Sequence, residues 1–328
     1  MNDLWRPFRI GPLTIPTPLV LAALAGYSDL PYRLICRRLG APYAATEAML
    51  DRQMLLEGKL RRRLVQLDDA DHPVAGQIMG NEPAVMAQAA LELCRMGFDV
   101  VDLNFACPVR KVLARRRGGY LMNRPQQALA IIQAVTSAVD KPVTIKLRRA
   151  FRENDVACDD FWQIAHGAFD AGVAAICVHG RSVDQKYMGR ADWGFIAAVK
   201  RRFPERTIIG SGDIHGPADA LHMLQETGVD GVTAARGVIG NPWLFRQTRD
   251  LALGRQPYCP PIAEQRQLIA EHFDAVCKLY GQRRGPKIMR KFCIKYARMH
   301  PSPAKVRAAF IEVRRAEQFQ TILDEFYV

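Results

Sequence analysis

The sequence predicts an α/β protein: a (β/α)8 TIM barrel over residues 1–254 joined to an all-helical domain over residues 262–328. Three observations carry this expectation. Eight short apolar runs recur before Gly254. Amphipathic stretches alternate with them. Beyond Gly254 the strand pattern stops and only helical periodicity continues.

The strand runs are Leu19–Leu24 (LVLAAL), Ala44–Ala48 (AATEA), Pro73–Ile78 (PVAGQI), Val100–Phe105 (VVDLNF), Pro142–Leu147 (PVTIKL), Ala174–His179 (AAICVH), Thr207–Gly210 (TIIG) and Gly231–Ala235 (GVTAA). Most are apolar throughout rather than alternating, as parallel strands covered on both faces must be. Between them lie LPYRLICRRLG, PAVMAQAALELCRMG, PQQALAIIQAVTSAV, DDFWQIAHGAFDAG and PADALHMLQETG. Several end in glycine, the residue that most readily stops a helix. A doubly wound sheet is the competing arrangement, but no GxGxxG follows the first strand. GRQPYCPPIAEQ is a proline-bearing linker into the last segment.

Charge narrows the partner. The chain of 328 residues has 46 Lys+Arg against 33 Asp+Glu, a net charge of +13, which points to a polyanion. Residues 262–328 contain 13 lysines and arginines and 7 acidic residues, so their net +6 concentrates the basic character in the helical segment. The eight cysteines, at 36, 94, 107, 158, 177, 259, 277 and 293, show no metal-ligand spacing and read as reduced thiols. MNDLWRPFRIGPL has no apolar leader core, and no run approaches a membrane span, so the expected compartment is cytoplasmic, with no membrane partner.

In such a barrel chemistry collects where strands end. Those ends carry Ala23-Leu24, Glu47, Gln77, Asn104 with Cys107, Lys146 with Arg148, His179 with Arg181, Ser211–Asp213 and Ala235–Gly237. The last two, GSGDI and AARGVIG, are glycine-bearing loops of the kind that bind phosphate through backbone N–H groups. Lys146 and His179 fall on neighbouring strands, where a cation suits the anion of a reduced flavin ring. The plainer alternatives are a lysine paired with a barrel carboxylate, a satisfied core histidine and, for Cys107, a small buried apolar residue.

The ordered set of motifs resembles the tRNA-dihydrouridine synthase family, in particular its bacterial B-type branch, over nearly the whole chain. LVLAALAGYSDLPYRLICRRLGA, GQIMGNEPAVMAQAA, DLNFACPVRKV, VTIKLR, VHGRSVDQKYMGRADW, IIGSGDIHGPADAL, ARGVIGNPWLF and KIMRKFCIKYA follow in family order. The resemblance implies an FMN-dependent enzyme that uses NADPH to reduce the 5,6 double bond of uridines in tRNA. It implies Cys107 as the acid that protonates C5, with Asn104 on the uracil edge. Ala23, Leu24, Gln77, Lys146 and His179 would lie against the flavin. Gly212, Asp213, Arg236 and Gly237 would bind its phosphate, largely through backbone N–H groups, and Ser211 would also belong to the cofactor site. Arg181 and Tyr187 would face the substrate nucleotide, and Arg290, Lys291 and Lys295 would meet tRNA phosphates.

Departures from the family pattern cluster on the cofactor side. Ala23-Leu24 stand where Pro-Met is usual, Phe105-Ala106 for Met-Gly, Ser211 for Asn and Ala235 for Gly, and Arg117 follows where a small residue is common. They raise a second reading, an RNA-binding relative with weak or no FMN binding and little reductase activity. The two readings differ in whether the purified protein is yellow.

Overall fold

The computed structural model describes residues 4–153 and 155–328. Met1–Asp3, which belong to the stretch read for a leader, and the Cys158 side chain lie outside the described residues. Two short strands come first, β1 (Phe8–Ile10) and β2 (Leu13–Ile15), paired antiparallel. The barrel strands are β3 (Leu19–Leu21), β4 (Ala44–Ala45), β5 (Met49–Leu50), β6 (Val74–Met79), β7 (Val100–Asn104), β8 (Val143–Arg148), β9 (Ala175–His179), β10 (Thr207–Ser211) and β11 (Gly231–Ala234). All pair in parallel, in the order β4-β3-β11-β10-β9-β8-β7-β6-β5. The additional β4–β6 pairing closes the ring.

The run read as one strand over Ala44–Ala48 is two pieces, β4 and β5, both on β6. The break has a local cause. Thr46 Oγ1 accepts Gln77 N of β6 at 3.0 Å in place of a backbone oxygen, and Glu47 Oε2 accepts Gly26 N, in the loop after β3, at 2.7 Å. The β1–β2 hairpin packs Phe8, Ile10 and Ile15 against the inward residues Val20, Ala45, Ala75, Val100, Ala175 and Ile209, filling the lower barrel.

The helices are α1 (Leu30–Arg38), α2 (Asp51–Met54), α3 (Lys59–Leu64), α4 (Pro83–Arg95), α5 (Arg110–Leu113), α6 (Pro125–Ala138), α7 (Asp155–Asp170), α8 (Trp193–Arg202), α9 (Pro217–Thr227) and α10 (Leu244–Ala252). Their limits follow local chemistry. Asp29 caps α1 by accepting Tyr32 N at 3.2 Å, and Asp192 caps α8 by accepting Phe195 N at 2.8 Å. Gly228 ends α9 at φ 66°, where a side chain is disfavoured.

After the linker come α11 (Ile262–Tyr280), α12 (Gly285–Tyr296), α13 (Pro303–Ile311) and α14 (Ala316–Phe326), with no strand among the described residues. Leu268, Phe273, Met289 and Phe292 from these helices share one apolar core with barrel-side residues such as Tyr32 and Trp243. No helix among the described residues is long and apolar enough to cross a membrane. No group of three His, Cys, Asp or Glu side chains among them is placed to hold a metal ion.

Candidate active site

A cleft of about 250 Å³ opens at the C-terminal ends of the strands. Around this single opening it gathers Ala23, Leu24, Gln77, Asn104, Cys107, Lys146, His179, Tyr187, Ser211, Gly212, Asp213 and Arg236, all expected site positions. Arg181, Gly237, Arg290, Lys291 and Lys295 do not line it.

Cys107 is held by the turn that follows β7. Asn104 Oδ1 accepts Ala106 N at 3.1 Å and Cys107 N at 3.0 Å. This side-chain-to-backbone turn explains the Asn-x-x-Cys spacing. Asn104 is thereby committed to the loop, and its Nδ2 donates to Gln77 Oε1 at 2.7 Å. It also lines the cleft, and its Nδ2 carries a second hydrogen beyond the one given to Gln77. Burial pushes the Cys107 thiol above its usual range, so it keeps its proton at neutral pH.

Arg148 grips the same loop from the other side, donating to Ala106 O at 2.8 Å and to Ser182 O and Lys186 O, each at 2.7 Å. Burial lowers its pKa to about 10, because no carboxylate offsets its charge there. Sequence reading noted Arg148 at a strand end without giving it a role. The signal was present: residues two apart in a strand share a face, so Thr144, Lys146 and Arg148 all point into the barrel.

Lys146 Nζ lies 3.2 Å from Ser211 Oγ and 3.6 Å from Cys177 Sγ. His179 Nδ1 meets the same Ser211 hydroxyl at 3.2 Å, while its Nε2 is buried without a partner. Burial, reinforced by Arg148, Lys146, Arg181 and Arg236, holds His179 well below its usual range, so the imidazole is neutral. The short Ser211 side chain bridges the lysine and the histidine, which gives this departure a local fit.

The two glycine-bearing loops are packed closely. A Cβ on Gly212 would stand 2.6 Å from Ala191 Cβ, and one on Gly237 would run into the Ile214–His215 backbone. Asp213, at φ 60°, spends its carboxylate on Arg181 at 2.7 and 2.8 Å and on Ala191 N at 2.7 Å. Burial alone would raise this carboxyl, yet the Ala191 and Arg181 donors hold it low. Only the Asp213 backbone is left for an anion. Arg236 stays exposed at the mouth, its guanidinium 5.4 Å from the Tyr187 ring, and Arg148 lies 5.6 Å from the same ring. Tyr187 is 55% exposed, so its ring is open to a ligand.

Two expectations need correction. Arg181, expected to face the substrate nucleotide, is 2% exposed; it donates to Met188 O, Gly189 O and Asp213 and braces the 182–190 loop instead. Lys291, expected to meet tRNA phosphate, donates to Gly26 O and lies 4.7 Å from the Tyr27 ring. It ties α12 to the loop after β3. Lys295 is exposed and Arg290 half-buried on the same helix.

The dihydrouridine synthase (Dus) family model matches residues 20–327. The chain belongs to this family. Among its relatives are a probable tRNA-dihydrouridine synthase of Rickettsia conorii, 35% identical over 97% of this chain and 96% of its own, and tRNA-dihydrouridine synthase B of Xanthomonas campestris, 38% identical over 94% and 91%. Solved structures with a similar fold include histamine dehydrogenase from a Rhizobium species (TM-score 0.61, 15% identity, 83% of this chain and 51% of that one) and a 2-naphthoyl-CoA reductase (TM-score 0.61, 15% identity, 77% and 52%). The chain spans about half the length of those two, and the likeness is one of barrel fold. A dihydrouridine synthase of this sequence therefore places its Asn-x-x-Cys-Pro motif on the same face as its lysine and histidine.

Proposed function

We propose that this protein is a tRNA-dihydrouridine synthase, an FMN-dependent oxidoreductase that draws on NADPH to reduce the 5,6 double bond of uridines in tRNA. One observation carries the reading. A thiol kept protonated by burial shares a cleft with Lys146, whose neighbours are a hydroxyl and a sulfur, and with a neutral histidine whose Nε2 has no partner. The relatives named tRNA-dihydrouridine synthase support the choice of substrate.

The residues present fit FMN. Lys146 Nζ and His179 Nε2 offer two nitrogens to a ring edge, Gln77 closes one side, and Ala23 and Leu24 line an apolar wall. Gly212 and Asp213 would bring backbone to the phosphate, with the Arg236 guanidinium above it, while Gly237 lies buried behind them on the Ile214–His215 backbone. Ala235 adds one methyl group there and leaves the Arg236–Gly237 turn intact.

Reduced FMN, when bound, supplies a hydride for uracil C6. The chain's own part is the proton. The Cys107 S–H bond breaks and a C–H bond forms at C5, so addition across the double bond is balanced by one hydride and one proton. Lys146 would offset the negative charge of the reduced flavin before the hydride leaves, and Tyr187 offers a stacking face to the nucleotide. The basic helices α11–α14 would carry RNA contacts, with exposed Lys295 and half-buried Arg290 on α12 meeting phosphate. The test is direct. The full chain should purify with flavin absorbance and form dihydrouridine in tRNA taken from a strain lacking the enzyme, with NADPH as reductant. A colourless protein with no such product would overturn the proposal.

A further inference from the structure

One carboxylate inside the barrel has no part in the chemistry above. Asp102 on β7 is 8% exposed. Its Oδ2 accepts Gln77 Nε2 at 2.6 Å and its Oδ1 accepts Thr144 Oγ1 at 2.7 Å. Burial pushes the Asp102 carboxyl above its usual range, and two neutral donors, then the more distant Lys146 charge, offset part of that cost.

The hydrogen bonds continue upward. Gln77 Oε1 accepts Asn104 Nδ2 at 2.7 Å, and Asn104 Oδ1 accepts the Ala106 and Cys107 amides. Direction matters in such a chain. Backbone N–H groups only donate, so Asn104 must turn its oxygen to them and its nitrogen to Gln77. Gln77 must then turn its oxygen to Asn104 and its nitrogen downward. Whatever lies below must accept, and a carboxylate can do nothing else. A group at that place that cannot accept would leave Gln77 Nε2 unpaired, or turn both amides over together and present N–H to N–H at the Cys107 loop.

We propose that Asp102 is a positioning residue for Cys107: as the acceptor at the foot of the Thr144–Asp102–Gln77–Asn104 chain, it holds the direction that ends on the Cys107 amide and aims the thiol into the cleft. Its consequence for turnover rests on the reading of Cys107 as the proton donor; the arrangement of the loop does not.

The experiment reads the loop without RNA. Cys107 alkylation by iodoacetamide is followed in the full chain by peptide mass spectrometry, with exposed Cys259 as internal control. Asp102→Leu removes the acceptor, and the Cys107 rate should change about ten-fold or more while Cys259 is unmoved. Asp102→Asn can still turn its oxygen to Gln77 and its amide nitrogen to the Thr144 hydroxyl, so it should stay within about three-fold of wild type.

The sharper test moves the carboxylate. Asn104→Asp leaves Gln77 between two acceptors, so its rate should depart about ten-fold from wild type once the new carboxyl ionises, and approach it as pH falls. Combining Asn104→Asp with Asp102→Asn rematches every donor. The new carboxylate accepts the loop amides and a reversed Gln77, whose oxygen accepts from the amide at 102. The double variant should return to within about three-fold of wild type at every pH. If it is no closer to wild type than Asn104→Asp alone, the proposal is wrong. Should Asp102→Leu fail to fold, this pair decides alone. If the double variant is rescued but Cys107→Ala turns over RNA normally, the acid assignment falls and the positioning role stands.

Discussion

As the proposed acid, Cys107 combines two demands that usually conflict: it would have to be open to a substrate and keep its proton. Partial burial satisfies both, because desolvation disfavours the thiolate while one side of the residue faces the cleft. Cys107→Ala should retain flavin and its reduction by NADPH, yet lose a factor of about 10² or more in dihydrouridine formation, the scale of a missing general acid. Single-turnover assays with pre-reduced enzyme check this. The pH profile has a definite sign. The active form is protonated and its pKa is raised, so turnover should hold through neutral pH and fall only above the ordinary thiol value of 9.0. His179, depressed and already neutral, should add no acid limb near 6.5. A bell with an acid limb at that pH would contradict the neutral imidazole. At this scale the cysteine was legible in the sequence, because Asn-x-x-Cys-Pro is a local turn. Arg181 and Lys291 were misread because a basic side chain reports nothing of its acceptor, and theirs include a carboxylate and a carbonyl far along the chain, Asp213 and Gly26.

At the scale of elements, α12 does more than offer a basic face. Gly240, in the loop after β11, sits at φ 80° against the Lys295 backbone, where a Cβ would collide. Gly240→Ala therefore meets both left-handed strain and overpacking, and should destabilise the protein by about 1–3 kcal/mol, read as a shift in urea midpoint. The α11–α12 contact also titrates. His272 is fully buried between Tyr32 and Phe292, with Tyr296 Oη 3.1 Å from Nδ1, and burial lowers its pKa to about 3. The unfolded chain then binds a proton near 6.5 that the folded chain refuses. Stability is complete above 6.5 and falls as pH drops from there towards 3, by about 1.4 kcal/mol per pH unit. Asp29, raised to about 6 chiefly by burial, acts oppositely: its folded form holds an extra proton between 3.8 and 6. Urea midpoints of His272→Gln against wild type at pH 7 and 5 isolate the histidine, and the variant should lose less on acidification. An equal loss would remove His272 from the account.

Across the whole molecule, the helical segment and the barrel are joined at the cleft. Lys291 donates to Gly26 O in the loop after β3, Arg298 donates to Gly237 O in the loop after β11, and Tyr32 Oη donates to Val238 O at 2.6 Å beside them. Both loops are proposed cofactor walls, so Lys291→Ala or Arg298→Ala should weaken flavin retention by about ten-fold without unfolding, measured as flavin lost on dialysis. Arg290→Ala with Lys295→Ala should instead spare flavin and flatten the salt dependence of RNA binding, by roughly 0.7–0.9 in slope for each phosphate no longer neutralised. If flavin loss follows the second pair and not the first, the two roles are reversed.

Most strand positions and the Asn-x-x-Cys turn were determined by the sequence itself, because each rests on periodicity or on interactions a few residues apart, whereas the break between β4 and β5 follows contacts to distant Gly26 and Gln77. Asp102 stood inside an apolar strand with no local partner, and only the pairing of β7 between β6 and β8 brought Gln77 and Thr144, 25 positions before it and 42 after, onto its two oxygens. The tertiary structure likewise decided which basic residues of α12 are free, since a lysine's partner is fixed by packing between distant segments and leaves no mark on its own neighbours in the chain.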